Sequence, residues 1–316
     1  MYGGAAMTFS MLAFDPAACQ VGIASASHYP GVGAVVTWAE AGTGVIATQA
    51  FAQPSYGPRG LALIRAGQTA GEALASLLAD DETPELRQVG VVDASGNIAT
   101  HTGSRCVPAV GVAPAAHAVA LGNTLEHESV PAAMLTAYAD ADGDLAHRLV
   151  TALLAGERAG GDIRGRQSSA LRVVSTRPTG TPWAHVVRDL RVDDHTDPTA
   201  ELGRLVDLYD TFDIVSRAVF DPHGVVLGDR AAYGEDAYAT VAAQLDRADQ
   251  ALGTNPEASF WAAVVHARAG HGPQARRFVD HAAQRNPRLP TLFRRLTGAG
   301  ILTRAEAEAA EPLDRS

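Results

Sequence analysis

The tightest constraint on this chain is a pair of short apolar runs built largely from small residues. Thr8-Phe9-Ser10-Met11-Leu12-Ala13-Phe14 and Val21-Gly22-Ile23-Ala24-Ser25-Ala26-Ser27 flank a segment that begins Asp15-Pro16. Runs of that length bounded by a turn former read as two strands of a hairpin. Ala, Gly and Ser recur through them, and again through 45–50. Strands this narrow suit a sheet covered on both faces with close-packed neighbours.

Further segments fit that demand. Residues 35–38 and 45–50 read as two more strands, with Gly42-Thr43-Gly44 as the turn between them. Helical periodicity covers 58–66 and stops at Gly67. Thr69 with Glu72 three residues on makes a capping box for a second helix, to about residue 79. Residues 88–93 and 98–102 form a hairpin around Ala94-Ser95-Gly96-Asn97. A short strand at 118–121 ends in Gly122-Asn123. Helices at roughly 128–139 and 143–155 follow, then strands at 169–175 and 186–192 and a helix over 198–209. No β-α-β alternation sustains a parallel sheet, so the pattern predicts an α+β fold with helices outside and antiparallel sheets inside.

Beyond about residue 212 the character changes. Residues 219–226 could form one short hairpin, and from Glu235 on the chain is helical and rich in Ala and Arg. The segment 260–270 followed by 273–283 resembles one helix–turn–helix of the tetratricopeptide kind, too little for a free-standing solenoid. The expected organisation is a domain over 8–212 and a small helical appendage over 213–316.

Composition narrows the chemistry. The formal charge of −10 argues against a nucleic-acid partner. There is no Lys, which removes Schiff-base chemistry and a phosphate-loop lysine. Cys19 and Cys106 lack metal-ligand spacing and suggest neither a zinc site nor a disulfide framework. No apolar run approaches the ~20 residues of a membrane span, and residues 1–6 lack the marks of a secretory signal. The expectation is a cytoplasmic protein with no cofactor, metal or membrane partner. Residues 1–6 read as a short leader or as sequence ahead of a true start at Met7.

Thr8 is the first candidate for chemistry. Met is readily removed ahead of a small residue, and a mature chain beginning at Thr8 would carry a hydroxyl nucleophile and an α-amine base on one residue. Thr is also a good strand residue. The other candidates are more equivocal. Asn123 could donate to an oxyanion or serve as a turn former. Asp162, Arg164 and Arg166 share the segment Gly160-Gly161-Asp162-Ile163-Arg164-Gly165-Arg166, where two Arg forks could clamp a carboxylate, with Asp162 orienting one or binding the terminal amine, or form a structural ion-pair loop. His28 follows a strand and could be a supporting acid or base, a substrate contact or structural, and His101 sits at a strand end with the same ambiguity between substrate contact and structure. Arg59 near a helix start hints at an anionic partner. Ser169 could lie near the nucleophile or simply be packed in its strand. Asp193-Asp194-His195 point alternately along a strand and do not make a metal site.

Several blocks together resemble one family: Thr8-Phe9-Ser10, His28, 32–36, 38–42, 47–51, 54–58, 99–103, 160–168 and 189–192. The chain is similar, from Thr8 to about Tyr209, to a bacterial domain of unknown function (number 1028) placed in the N-terminal-nucleophile hydrolase superfamily. The resemblance implies a four-layer αββα sandwich and an amide-cleaving enzyme. Thr8 Oγ would attack the carbonyl of a small-molecule amide with its own α-amine as base, and Asn123 would be a candidate for the oxyanion donor. Acyl transfer to an amine is an alternative outcome on the same fold. A non-catalytic scaffold built on the helical appendage is another, because an intact leader would acylate the α-amine. The apolar helix over 260–269 makes a homodimer an expectation.

Overall fold

The computed structural model describes residues 5–310, Ala5 and Ala6 by backbone alone, so the first four residues of the expected leader at 1–6 lie outside the described residues. The chain opens with strands β1 (Ala5–Ala6), β2 (Thr8–Asp15) and β3 (Gln20–Ser27). The carboxylate of Asp15 accepts the amides of Ala17 and Ala18, which turns β2 back into β3 as an antiparallel hairpin.

The next segment differs from expectation. In place of a strand over 35–38, the chain makes a one-turn helix, α1 (Val32–Val35), and only then enters β4 (Thr37–Glu40). Gly31 starts the turn at φ +68°, and Thr37 Oγ1 donates to the Gly33 carbonyl. These local bonds override the β-branched composition. Strand β5 (Gly44–Phe51) follows, then helices α2 (Tyr56–Arg65) and α3 (Ala70–Ala79). The Thr69–Glu72 capping box is present at the start of α3. Strands β6 (Arg87–Asp93) and β7 (Ile98–Thr102) are joined by a turn held by the Asp93 carboxylate, which accepts the amides of Ser95 and Asn97.

A short strand that the sequence reading missed, β8 (Gly111–Pro114), pairs with β9 (Ala118–Gly122). Helices α4 (Val130–Asp140) and α5 (Leu145–Arg158), strands β10 (Ser168–Ser175) and β11 (Val186–Val192), and helix α6 (Pro198–Val219) complete the region that carries the site.

Two antiparallel sheets result. One has the order β1-β5-β6-β7, with β4 also on β5; the other runs β11-β10-β3-β2-β9-β8. Alternation along β2 assigns each residue a face. Phe9, Met11 and Ala13 join the core with α4 and α5, whereas Leu12 joins Val45, Ala47 and Val92 of the opposite sheet. Ile46, Val89 and Val91 face α2 and α3. The chain is thus mixed α+β, with antiparallel sheets sharing one core and helices on their other faces.

The chain divides into two compact units between Val206 and Asp207. The expected break near 212 falls inside α6, which runs ten residues past the expected end. The second unit contains α7 (Glu235–Leu252), α8 (Glu257–Arg268), α9 (Gly272–Arg285), α10 (Leu289–Arg295) and α11 (Arg304–Ala309). Residues 219–226 form no hairpin. Val219 ends α6, and the buried Arg268 draws the carbonyls of Val225 and Gly228 to its guanidinium, at 2.7 Å each, in place of a strand partner. Phe260, Ala262, Ala263, Val264 and Val265 of α8 are all buried inside this unit. The apolar helix that suggested a homodimer therefore has its apolar surface covered within its own chain.

Candidate active site

The site lies where β2 begins. Thr8 is fully buried. It shares a face with Ser10, whose Oγ donates to Gln49 Oε1 of β5 at 2.6 Å, so Thr8 points into the seam between the sheets. Its carbonyl accepts three donors: the Asn123 backbone amide at 3.1 Å, Asn123 Nδ2 at 3.3 Å and Gln49 Nε2 at 3.1 Å. Gln49 Nε2 and Asn123 Nδ2 also both donate to Gln88 Oε1. Gln88 Nε2 in turn donates to the carbonyl of Gly122 and to Thr102 Oγ1. These three buried amides join strands of both sheets and clamp Thr8 at the seam.

On the other side of Thr8 stands the peptide carbonyl of Met7. It accepts Ser27 Oγ at 2.6 Å and Arg164 Nη2 at 2.7 Å. Arg164 is aimed by Asp162, whose buried carboxylate takes Arg164 Nε and Nη2 at 3.1 and 2.8 Å, along with the amides of Arg164 and His28. A bidentate pair of this kind fixes the guanidinium plane. The glycines at 160, 161 and 165 all take positive φ and let the loop turn tightly enough to place Asp162 and Arg164.

Two strained residues flank the clamp. Ala50, next to Gln49, has φ +66°, and Thr124, next to Asn123, has φ +52°. For a β-branched residue that conformation is an outlier. Thr124 Oγ1 and Asn123 Oδ1 are buried without a hydrogen-bond partner. Strain and orphaned polar atoms at one spot are features of functional sites more than of cores.

The structure thus brings Thr8, Asn123, Asp162, Arg164 and the backbone of His28 together; the His28 ring itself is exposed and stands beside Gly165. Asn123 spends its amide protons on Thr8 and Gln88, so in this arrangement it positions Thr8 and offers no side-chain donor to an oxyanion. The remaining candidates lie elsewhere. Arg166 pairs with Glu157 and Asp197, tying the loop to α5 and the approach to α6; burial raises the Glu157 carboxyl against the pull of Arg166. His101 Nε2 bonds the Pro84 carbonyl at the edge strand β7. Arg59 pairs with Asp80 beside a 280 Å³ cavity that Asp81 and Glu82 also line, so an anion finds little welcome there. Ser169 shares a rung with Ala26 and Phe9, which face the helices, the opposite side of the sheet from Thr8.

Ser27, Gln49 and Gln88 were not among the residues expected at the site. Their signal was available: polar side chains standing in runs that must be buried, with Ser27 two residues from Ser25 on the same face.

A family model described as "Family of unknown function (DUF1028)" matches residues 8–202. The chain belongs to DUF1028. The match begins at Thr8 and takes in Gln49, Gln88, Asn123, Asp162 and Arg164. The DUF1028 chain is also similar to a crystal structure of protein SPO2555 from Silicibacter pomeroyi, itself described by the same family model. The two are 31% identical with a TM-score of 0.60, over 67% of this chain and 94% of that one. No curated protein matches.

Proposed function

We propose that this DUF1028 protein is an N-terminal-nucleophile amidohydrolase on a four-layer αββα sandwich, with Thr8 as nucleophile once residues 1–7 are gone. The observation that carries the reading is the double grip on the two carbonyls flanking the Thr8 nitrogen. The buried amides fix Thr8 through its own carbonyl, and Arg164 with Ser27 holds the carbonyl of the bond that must be cut. A cation and a hydroxyl on a carbonyl oxygen draw electron density from its carbon and match the oxyanion that forms on attack.

In the mature enzyme the freed α-amine replaces the Met7–Thr8 amide nitrogen. An incoming amide carbonyl takes the place of the Met7 carbonyl, facing Arg164 Nη2 and Ser27 Oγ. Thr8 Oγ bonds to its carbon while the hydroxyl proton passes to the α-amine. The C–N bond then breaks, the leaving amine takes that proton, and an ester on Thr8 remains. Water attacks the ester, releases the acid and returns the proton to Thr8 Oγ. Asp162 keeps the Arg164 fork in place throughout.

Intact-mass analysis with an amide-directed acylating probe tests the reading. The expected result is an active protein that begins at Thr8 and is labelled there. An active preparation that keeps residues 1–7 overturns it. The rival, a non-catalytic binding protein, is favoured by one observation: β1 pairs with β5 while the Thr8 nitrogen is still in a peptide bond. For that protein the same experiment returns an intact leader and no label.

A further inference from the structure

The segment ahead of Thr8 does more than block the nitrogen. Ala5 pairs with Phe51 and Ala6 with Ala50, antiparallel, along the end of β5. Met7 then leaves that sheet, and Thr8 begins β2 in the other. The chain therefore crosses from sheet to sheet at the carbonyl that Arg164 and Ser27 hold. An extended backbone thus runs along the β5 edge and delivers its third carbonyl to the cradle beside Thr8.

We infer that this track is the acyl-side binding site of the mature enzyme, and that its substrate class is an extended peptidyl amide rather than a compact small-molecule amide. The inference rests on the reading of Thr8 as nucleophile and specifies what that nucleophile receives. Removing residues 1–7 exposes the backbone groups of β5 that β1 had paired, and an open strand edge is a template for an incoming extended chain. Two residues pair at Ala50 and Phe51, and the next presents its carbonyl to Arg164 Nη2 and Ser27 Oγ. The track is rigid before any ligand arrives: the Phe51 carbonyl is fixed by Arg87 Nη1 at 2.7 Å, and Gln49, next to Ala50, is locked in the amide clamp. Ile163, between Asp162 and Arg164, is 63% exposed and offers an apolar contact at the cradle's rim. The geometry selects backbone shape, so recognition is carried by main-chain hydrogen bonds, with side chains secondary.

The test uses the Thr8→Ala variant in two lengths, one full and one beginning at residue 8, with acetyl-Ala-Ala-Met-amide as probe, so that turnover plays no part. Matching melting curves establish that both are folded. Calorimetry is expected to show at least tenfold tighter binding to the shorter chain, because the leader occupies the track in the longer one. Amide NMR shifts should move at Ala50 and Phe51, and N-methylation of both alanines of the probe should weaken binding at least tenfold. Equal affinity for the two lengths, shifts confined to other strands, or no binding to the folded short chain overturns the inference. Those outcomes leave the Thr8 nucleophile standing, since its label and start residue are read separately. Conversely, binding here with no label at Thr8 in the wild-type chain sinks the catalytic reading alone.

Discussion

Arg164 Nη2 lies 2.7 Å from the carbonyl oxygen of Met7, whose carbon is bonded directly to the nitrogen of Thr8. These residues are 157 positions apart in sequence, and the contact exists because a glycine-rich turn brings the Asp162 carboxylate under the end of β2. Arg164→Lys keeps a positive charge beside Asp162 and loses the fork that reaches both partners. Amide turnover should fall roughly 10²-fold, as for loss of an oxyanion donor, with the melting temperature nearly unchanged. Steady-state kinetics and a thermal melt check both halves.

Asn123 acts on Thr8 from the opposite side. Asn123→Ala leaves the Thr8 carbonyl with Gln49 Nε2 and a backbone amide, and Gln88 Oε1 with one donor fewer. The loss of buried hydrogen bonds should cost about 1–3 kcal/mol of stability. Chemical denaturation measures it, and Asn123→Asp, which lacks the donor but keeps the volume, should cost at least as much.

Arg59 and Arg166 provide the contrast. Arg59 sits in an exposed ion pair with Asp80, and Arg166 reaches the nearly buried Glu157. Arg59→Ala should cost below about 1 kcal/mol, the range of exposed pairs, and leave kcat/KM unchanged. A large loss of activity in that variant would relocate the site.

Asp81 contributes a pH-dependent share of stability. Burial alone would raise its carboxyl, but hydrogen bonds from Arg87, the Thr83 amide and the Tyr56 hydroxyl outweigh burial and hold it well below the usual carboxylate range. The folded value is depressed relative to an unfolded value near ~3.9. The stabilisation is therefore complete above about pH 4 and is lost as pH falls below that toward the folded value. Melts from pH 7 downward should show a steeper decline below pH 4 in the wild type than in Asp81→Asn.

Gly57 reports on packing between α2 and β4. A Cβ placed there would stand 2.1 Å from the ring of Trp38. Overpacking of this kind costs about 1–3 kcal/mol, so Gly57→Ala should lower the melting temperature and alter Trp38 fluorescence.

Much of the α+β frame was legible. The hairpins at Asp15-Pro16 and at Ala94-Ser95-Gly96-Asn97, the Thr69 capping box and the two helix pairs all follow from local chemistry, and local chemistry is what a sequence prints. Two of the departures have local causes, and a third does not. The one-turn helix over 32–35 depends on Thr37 bonding back to Gly33, and β8 is four residues long with alternating exposure, too short to stand out. The loop after Val219 is shaped by Arg268, 43 residues from Val225, and no window of sequence shows that pairing.

By itself the sequence determined which residues could do chemistry: a threonine behind a methionine, an arginine–aspartate pair among glycines, and no lysine. It also determined that the narrow strands had to be buried on both faces. Only the tertiary structure decided which candidates meet. It placed Asn123 and Arg164 on the two sides of Thr8, sent Ser169 to the opposite face of its sheet, and spent Arg59, Arg166 and His101 on local bonds. The physical reason is that periodicity fixes the face a side chain takes within its own strand, while the register between strands and the depth of a loop depend on how two sheets share one core.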